Sequence, residues 1–503
     1  MRYQYLIKAL LCLLPLILLC SLPAAEYRNG QLYLEVLLSS GTQISLETSG
    51  SAQAELTVSE QASPISRLLR GNLNISLTNA DKLAFWGLLS RVEPWADHSD
   101  GVLREYFAWE DSTLVIKREN LIFEGITFAG IEGARKYARE TGIPENQIQN
   151  IPLINSTVRV KTTGGPEYYF ETPLLIHSAT PLFIGGVKLG YSGDFILKTI
   201  NGKMVLTHFL PLEEYIAGVI QNEIGSTAPL EALKTQAVAA RTHAVSLLLY
   251  NRHKNDGYDL CNSTHCQVYK GEHLLNESIL EAVSATRGEV LLAGDRIADA
   301  TYHSSCGGKT DSSENIWNGS PLPHLMGVTC IEAAESIDLS KENQARRWIE
   351  TNTSTQGMSS WEKASVSWQK SISRQALARN VGLSSISRIV INKRGSSGRI
   401  TDMSFHGSGT VRLTSEYKIR QAFGSAKSSF FYIRGAYSMD KNGGVSITPP
   451  ATVSIKGKGS GHGVGMCQVG TLDRARNGAT YRDILSHYYP ETRICSDWMG
   501  HAR

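Results

Sequence analysis

An alanine-rich segment, PLEALKTQAVAARTHAVSLL over residues 229–248, most constrains what this chain of 503 residues can fold into. Proline fits the first turn of a helix, and Ser226 and Thr227 precede it as candidate caps. Apolar residues at helical spacing form the predicted buried stripe: Leu233, Ala237, Ala240, Ala244 and Leu247. Because alanines are small, this stripe predicts a helix that packs closely against another element inside a folded domain.

Segments of strand character surround this helix. STVRVKTTGG, EYYFETPLLI, GDFILKTING and KMVLTHFLPL precede it, and EVLLAG, ADATYHSS and a glycine-punctuated run over 387–413 follow it. Shorter helices are predicted in GIEGARKYARETG, SRQALARNVG and YRDILSHYY. The pattern contains neither βαβ alternation nor an internal repeat, so the predicted class is α+β.

Length and charge set the broad organisation. One domain per about 150 residues predicts two to four domains. We expect residues 26–155 to form a mixed α/β accessory region and residues 156–498 a strand-rich domain. The net charge of +3 and the lack of a Lys/Arg run argue against a nucleic-acid partner.

Residues 1–25 follow the pattern of a secretory signal peptide. A basic start, the apolar stretch ALLCLLPLILLCSL and the small residues PAA stand in the expected order. A retained N-terminal membrane anchor is the alternative, although Pro15 and an apolar length below about 20 residues count against it. The prediction is an exported protein of the periplasm or cell envelope. Six cysteines then remain, which permits three disulfides whose pairing the sequence leaves open.

Glu223 stands between the apolar run YIAGVI and the alanine-rich helix. Its carboxylate is favoured near the helix N-terminus by about 0.3–1 kcal/mol, whereas burial beside Ile220 and Ile224 favours the neutral acid. The residue is either an ordinary loop glutamate or the working acid of an enzyme. Lys234 and Arg241 lie nearly two turns apart on one side of the helix, as a solvated edge or as donors along a groove wall.

A cluster of metal-ligand residue types follows the helix in RHKNDGYDLCNSTHCQVY. It contains His253, Cys261, His265 and Cys266, the ligand types of a structural zinc site. The spacing is irregular, so two alternatives stay open. One is a disulfide between the two cysteines, and the other is cysteines paired elsewhere beside packed histidines.

Two further polar stretches offer candidate site residues. TYHSSCGGKTDSSENIWNG holds Tyr302, a Ser/His/Asp311 set that lacks a nucleophile elbow, and Cys306, for which a bond to Cys330 is favoured over a nucleophilic role. In KGSGHGVGMCQVG, glycine occupies every second position from 459 to 465, which lets the backbone approach a ligand or another strand closely. His462 within this run either faces the ligand or caps a turn.

Together these stretches resemble the SpoIID/LytB family, named for stage II sporulation protein D and the amidase enhancer. The matching pieces, in the family's order, are LPLEEYIAGVIQNEI, PLEALKTQAVAARTHA, YDLCNSTHCQVYKG, TYHSSCGGKTDSSENIW, SSGRITDM and GSGHGVGMCQVG with YRDILSHYYPETRI. They cover roughly residues 156–493, and EALKTQAVAART with GHGVGMCQ is the most specific combination. The resemblance implies a strand-rich catalytic domain over 156–498 with a long Ala-rich helix and a substrate groove.

The resemblance also implies an activity. It is that of a peptidoglycan lytic transglycosylase, which cuts glycan strands, peptide-denuded in sporulation members, between N-acetylmuramic acid and N-acetylglucosamine. The family's catalytic glutamate falls on Glu223. Substrate-binding positions fall on or beside Lys234, Arg241 and Tyr302, and we add His462 and Gly463 from the glycine run. Zinc in some members strengthens the expectation of a metal at Cys261, His265 and Cys266, with His253 as the fourth candidate ligand.

Two other functions fit the same residues. The protein is alternatively a non-catalytic peptidoglycan-binding enhancer of a cell-wall amidase, which does not need Glu223 as an acid. A zinc amidase is the third hypothesis, although cysteine-rich ligation leaves little room for a catalytic water. The expected partners are therefore glycan strands, with a cell-wall amidase as a second candidate.

Overall fold

A computed structural model describes residues 26–498 except 29–30, 49–52, 59–66, 71, 78–83, 95–112, 119–120, 129–130, 153–156, 163–166, 186–189, 254, 272–273 and 440–443. The signal peptide prediction for residues 1–25 lies outside the described residues. The described chain mixes helices and strands, which confirms the α+β class. Within this part of the chain, none of the helices combines the length and apolar content that a bilayer crossing requires.

The described chain divides into two compact units. The first holds the residues up to Val219 together with Leu247–Leu274, and the second holds Ile220–Ser246 and the residues from Leu275 onward. The predicted domain limits at 25, 155 and 498 stay a prediction.

The first unit is built on strands. These are β1 (Glu26–Arg28), β2 (Gln31–Gly41), β3 (Gln43–Thr48), β4 (Gln53–Val58), β5 (Arg67–Arg70), β6 (Leu73–Leu77), β7 (Ala84–Pro94), β8 (Thr113–Arg118), β9 (Leu121–Phe128), β10 (Ile148–Pro152), β11 (Thr157–Thr162), β12 (Glu167–Glu171), β13 (Leu174–Ile184), β14 (Gly190–Ile200), β15 (Lys203–Pro211) and β16 (Leu260–Cys261). The largest sheet runs β1-β2-β15-β14-β13-β3-β6-β11-β12, with β16 parallel to β2. A second sheet, β10-β7-β9-β8, packs against helix α1 (Ile131–Thr141), where the sequence predicts a helix.

The stretch LYLEVLLSSGTQISLET forms β2 and β3, but the two strands do not pair with each other. β2 pairs with β15 and β3 with β13 and β6. Only Thr42 separates them, so the chain passes from one part of the sheet to another without a hairpin. The same sheet carries β15 directly into helix α2 (Leu212–Ile220), which ends in a π-helical turn, Gln221–Gly225.

Helix α3 (Leu230–Leu249) is the alanine-rich helix, and it begins one residue after Pro229. Every residue of the predicted stripe is at most 6% exposed. Burial continues around the helix, because Gln236, Ala239 and Arg241 are also fully buried. The helix is thus enclosed on nearly all sides, as its many alanines allow.

The second unit contains short sheets and helices. Its strands are β17 (Val290–Ala293), β18 (Arg296–Ile297), β19 (Tyr302–His303), β20 (Ser367–Ser373), β21 (Ile386–Arg394), β22 (Ile400–Gly407), β23 (Thr410–Leu413), β24 (Phe431–Ile433), β25 (Ser438–Met439), β26 (Val445–Ile447), β27 (Thr452–Lys458), β28 (Met466–Cys467) and β29 (Thr492–Cys495). Its helices are α4 (Glu277–Ala285), α5 (Ser313–Trp317), α6 (Glu342–Glu350), α7 (Ser360–Val366), α8 (Arg374–Asn380), α9 (Glu416–Ala422), α10 (Gln468–Arg476) and α11 (Tyr481–Tyr488). One core gathers residues of α3, β28, α10 and α11, and another fills the space among β20–β27, α8 and α9.

Candidate active site

Glu223 lies in the middle of the π-helical turn that ends α2. Its neighbours Gln221 and Ile224 are buried, whereas the Glu223 residue itself is partly exposed. π-Helical turns are rare and often occur at functional sites, because they rotate side chains away from the regular helical positions. The turn ends at Gly225, whose φ of +94° suits a residue without a side chain.

A buried glutamine holds the carboxyl group of Glu223. The amide Nε2 of Gln468 donates to Glu223 Oε2 at 3.2 Å and lies 3.4 Å from Gln236 Oε1. Gln468 and Gln236 are 2% and 0% exposed. The three residues come from NEI, GHGVGMCQ and EALKTQAVAART, so the fold joins three of the quoted motifs at one carboxyl group.

Neither glutamine is among the site residues predicted from the sequence. Both lie within the two most specific motifs of the family resemblance, EALKTQAVAART and GHGVGMCQ, and this specificity is the signal that could have found them. Because a buried glutamine side chain needs hydrogen-bond partners, a glutamine within an apolar helix face indicates another polar group nearby.

A two-stranded parallel ladder places Gln468. Strand β19 pairs with β28, with Tyr302 opposite Met466 and His303 opposite Cys467. Gln468 is the first residue of α10, and the Cys467 side chain accepts from Gly470 N at the start of that helix. The ladder therefore positions Tyr302 beside the chain that leads to the Glu223 contact.

The four alternating glycines make this ladder possible. Gly459, Gly461, Gly463 and Gly465 all have φ between +69° and +95°. A Cβ atom at Gly465 would lie 2.1 Å from Thr301 O, and one at Gly463 would lie 2.1 Å from Arg399 Cζ. The glycines thus let this segment approach other protein groups closely. Contact between Gly463 and a substrate stays a prediction.

His462 has both ring nitrogens bonded within the protein. Because the carbonyl of Tyr302 can only accept, Nε2 donates to it at 2.9 Å, and Nδ1 accepts from Val464 N at 3.2 Å. Burial, and then the neighbouring His303, hold the pKa of His462 well below its usual range. The ring also lies 5.3 Å from that of Trp317, which is 46% exposed. The imidazole is therefore neutral and fixed in one tautomer, and its role in substrate binding stays a prediction.

The two cations of α3 have different surroundings. Lys234 Nζ lies 2.8 Å from Glu231 Oε1, and the other oxygen of Glu231 accepts from Tyr481 N at 2.7 Å. Arg241 is 0% exposed and its Nη1 donates to Glu289 O at 3.0 Å. The alternative of a solvated basic edge is wrong for Arg241. Binding of glycan by either residue stays a prediction.

Asp311 does not complete a hydrolase triad. Its buried carboxylate accepts from Ser397 Oγ at 2.5 Å and from Asn315 Nδ2 at 2.9 Å. His303 Nδ1 instead donates to Val464 O at 3.2 Å. These contacts tie a loop together and leave the weak triad hypothesis without support.

The first cysteine–histidine cluster has the geometry of a metal site. One ligand atom from each of His253, Cys261, His265 and Cys266 lies within 4.8 Å of all the others. His253 Nδ1 donates to Asp256 Oδ2 at 2.9 Å, which leaves Nε2 facing Cys266 Sγ at 3.3 Å. A carboxylate on the far nitrogen is the usual support of a metal-binding histidine, so this donor set fits zinc.

Hydrogen bonding within this cluster favours a thiolate. The bond from Cys266, followed by bonds from Ser263 and His265, lowers the pKa of the Cys261 thiol against the effect of burial. The cysteines are free thiols in the structure, so the alternative disulfide between Cys261 and Cys266 is not formed.

The favoured bond between Cys306 and Cys330 is not formed either. Both are free thiols, and their sulfur atoms share a small space with that of Cys467. The predicted disulfide between Cys306 and Cys330 is therefore wrong, because three sulfur atoms converge at this position and not two.

Sequence comparisons agree with this arrangement. The family described as Stage II sporulation protein matches residues 201–292, which include Glu223, α3 and the first cysteine–histidine cluster. A second match, described as Domain of unknown function (DUF8618), covers residues 311–465. An uncharacterized protein of Brachyspira hyodysenteriae is 30% identical over 299 residues, 59% of this chain and 70% of that relative. The chain belongs to the SpoIID/LytB family.

Two relatives with descriptive names support the same membership. Stage II sporulation protein D of Bacillus subtilis is 27% identical over 298 residues, 57% of this chain and 74% of that protein. The Amidase enhancer of Bacillus subtilis is 29% identical over 313 residues, which cover 56% of this chain and 40% of the enhancer. In this SpoIID/LytB member, the unassigned domain at 311–465 separates the TYHSSC and GMCQ motifs that β19 and β28 reunite.

Proposed function

We propose that this protein is an exported peptidoglycan lytic transglycosylase of the periplasm or cell envelope. It cleaves glycan strands, preferentially peptide-denuded ones, between N-acetylmuramic acid and N-acetylglucosamine. The observation that carries the proposal is the partly exposed residue Glu223, whose carboxyl group accepts a hydrogen bond from Gln468. Membership of the SpoIID/LytB family and the signal-like residues 1–25 support the cell-wall setting.

One carboxyl group suffices for the chemistry. Protonated Glu223 donates its proton to the glycosidic oxygen, and the bond from that oxygen to C1 of the muramic sugar breaks. The C6 hydroxyl of the same sugar attacks C1, and its proton passes to the Glu223 carboxylate, which restores the acid. A 1,6-anhydro end results, so no water is activated and the second carboxylate of ordinary glycosidases is not required. Attack within one sugar also gains from proximity, worth up to several kcal/mol.

Gln468 supports this cycle by fixing the carboxyl group. An amide N–H can donate to the carbonyl oxygen of a protonated carboxyl group and, more strongly, to a carboxylate, so the contact survives both halves of the cycle. It engages Oε2 of this carboxyl group and so restricts how the group can rotate. Gln468 is a positioning residue in this proposal.

Substrate binding is assigned to Lys234, Tyr302, Arg241, His462 and Gly463. Lys234 is the most accessible cation of α3, with 18% of its side chain exposed. Arg241 is enclosed, so its contribution is to shape the wall formed by α3. His462 and Gly463 act through the backbone that they hold beside Tyr302.

Zinc is proposed as a structural ion at His253, Cys261, His265 and Cys266. The four ligand atoms converge and Asp256 orients His253. A site filled by four protein ligands closes the loop between α3 and the residues that follow, and takes no part in bond cleavage.

A non-catalytic enhancer of a cell-wall amidase is the second candidate. The match to the Amidase enhancer of Bacillus subtilis favours it. In that case the protein binds glycan and an amidase, and replacement of Glu223 leaves its effect on the amidase intact.

Digestion of peptide-free glycan, read by mass spectrometry, tests the proposal. Wild type is expected to release ends lighter by one water than hydrolysed ends, and Glu223→Gln should release none above background. Glu277→Gln, at an exposed glutamate of α4, is the matched control and should remain active. Anhydro ends from Glu223→Gln would exclude this acid. Inactive wild type that still stimulates an amidase would favour the second candidate.

A further inference from the structure

Three thiols outside the two sites already described converge in the second unit. The sulfur atoms of Cys306, Cys330 and Cys467 all lie within 4.8 Å of one another. Cys306 and Cys467 are 2% and 1% exposed, and Cys330 is half-buried. They come from the Cys-Gly-Gly turn after β19, from a separate loop, and from the end of β28, so the fold brings them together from distant parts of the chain.

Backbone N–H groups point at these sulfur atoms. Cys467 Sγ accepts from Cys306 N at 3.2 Å and from Gly470 N at 3.3 Å. Cys306 Sγ accepts from Gly308 N at 3.3 Å, within its own turn. A neutral thiol or a disulfide sulfur is a weak acceptor, whereas a thiolate is a good one. The donors therefore suit sulfur atoms that carry negative charge, as metal-bound thiolates do.

His303 precedes this cluster in the chain but is not one of the residues whose ligand atoms converge. Its Nδ1 lies 3.2 Å from Val464 O, and because a carbonyl only accepts, this nitrogen donates its proton there. The convergent ligand atoms are therefore the three sulfur atoms.

We propose that Cys306, Cys330 and Cys467 form a second zinc site, in which the protein supplies three thiolate ligands. Soft thiolates match zinc, and each thiol loses its proton on binding. The hydroxyl of Tyr488, 3.3 Å from Cys330 Sγ, supports the ligand shell. The ion would lock β19 to β28, which precedes Gln468 directly, but the proposal does not depend on the function proposed above.

A disulfide is the competing use of these cysteines. It would join two of the three sulfur atoms and leave the third thiol, with the backbone N–H groups that point at the cluster, unexplained. A zinc ion uses all three sulfur atoms, so the observations favour the metal.

Zinc content of the full chain, purified under reducing conditions and dialysed against zinc, tests the proposal. The double variant Cys261→Ser/Cys266→Ser removes the first cluster and should retain one zinc per chain. Adding Cys330→Ser should lower that content at least tenfold. Adding Cys495→Ser instead, at a free cysteine of β29 outside both clusters, should leave it unchanged. Equal zinc in the two triple variants would overturn the assignment.

Cobalt substitution gives a readout that does not rely on Cys330→Ser being folded. The double variant loaded with Co²⁺ should show intense tetrahedral d–d bands and sulfur-to-cobalt charge transfer. Peptide mapping without reduction tests the alternative. Disulfide-linked peptides that contain two of Cys306, Cys330 and Cys467, found in protein that binds neither metal, would overturn the zinc proposal in favour of a disulfide.

Discussion

Glu223 shows how much a single residue depends on contacts that its own sequence neighbourhood does not reveal. The segment YIAGVIQNEI predicts an apolar run followed by a carboxyl group, and the structure adds a π-helical turn that presents it. The donor that holds it, Gln468, is 245 residues away in sequence. At this scale the sequence supplies the functional group, and the fold supplies its orientation.

Replacement of Gln468 should therefore slow turnover. Gln468→Ala, and Gln468→Glu, which keeps the shape but removes the N–H donor, are each expected to lower kcat about 10–100-fold, because a displaced acid no longer meets the glycosidic oxygen. KM should change little. The exposed Gln421→Ala is the control. A fall confined to KM, with kcat intact, would contradict the positioning role.

Burial of His208 makes the first unit sensitive to acid. Its Nε2 donates to Ser192 O and its Nδ1 accepts from Tyr269 OH, both inside the fold. Desolvation lowers the pKa of His208 to about 4, partly opposed by the Ser192 contact and by Asp194. The unfolded chain titrates near its ordinary value of about 6.5, so between these values it binds a proton that the folded chain does not.

The free energy of unfolding should consequently fall as the pH drops from 7 to 5. This histidine contributes about 2 kcal/mol of that loss, and the contribution levels off below its folded pKa. His208→Gln retains a donor and an acceptor but cannot ionise, so its stability should decline less over the same range. Urea unfolding of both proteins at pH 7 and pH 5 measures the difference. Parallel declines would show that His208 is not the group responsible.

Elements of this fold depend on how closely backbones approach. The ladder between β19 and β28 is two residues long, and a run of alternating glycines lets the adjoining chains interlock. The buried Arg399 closes the arrangement by donating to Cys306 O at 3.1 Å. The close packing of the adjoining backbone segments therefore stabilises this ladder more than its two residue pairs do.

Gly463→Ala should destabilise the second unit strongly. Its new Cβ would lie 2.1 Å from Arg399 Cζ, and Arg399 cannot withdraw without losing its buried hydrogen bonds. Gly478 has nearly the same φ, +86° against +88°, but nothing lies within 4 Å of its Cβ position. Gly478→Ala therefore carries only the backbone strain, about 1–2 kcal/mol, while Gly463→Ala adds about 1–3 kcal/mol of overpacking.

Thermal unfolding of the two glycine variants gives the comparison. A clearly lower midpoint for Gly463→Ala is expected, together with loss of activity, since the same loop leads to Gln468. Equal midpoints would mean that the Arg399 contact yields easily and that the glycine is needed only for its φ.

At the scale of the whole molecule, the described chain divides into two compact units, each with its own cluster of metal-ligand residue types. The first unit holds His253, Cys261, His265 and Cys266, whereas the second holds the three-cysteine cluster. The chain crosses between the units within α2, within α3 and again after Leu274. Ions at these clusters would stabilise the parts of the chain that short strands alone hold weakly.

Metal removal tests this at the level of the protein's stability. Wild type loaded with zinc should unfold at a higher temperature than Cys261→Ala, because an ion that binds only the folded state stabilises it by several kcal/mol when well above its Kd. After treatment with a chelator the difference should shrink to the small cost of the substitution. A gap that the chelator leaves unchanged would exclude metal binding by Cys261.

The sequence by itself determined the α+β class, the long alanine-rich helix, three of the shorter helices (α1, α8 and α11) and the candidate acid, because these follow from local periodicity, caps and distinctive motifs. Only the tertiary structure decided that Arg241 is enclosed, that β2 and β3 do not form a hairpin, and that Cys306 shares its place with two other cysteines. It also decided that Gln468 reaches Glu223. These outcomes rest on contacts between residues far apart in the chain, where packing and hydrogen-bond satisfaction, and not local propensity, set the arrangement.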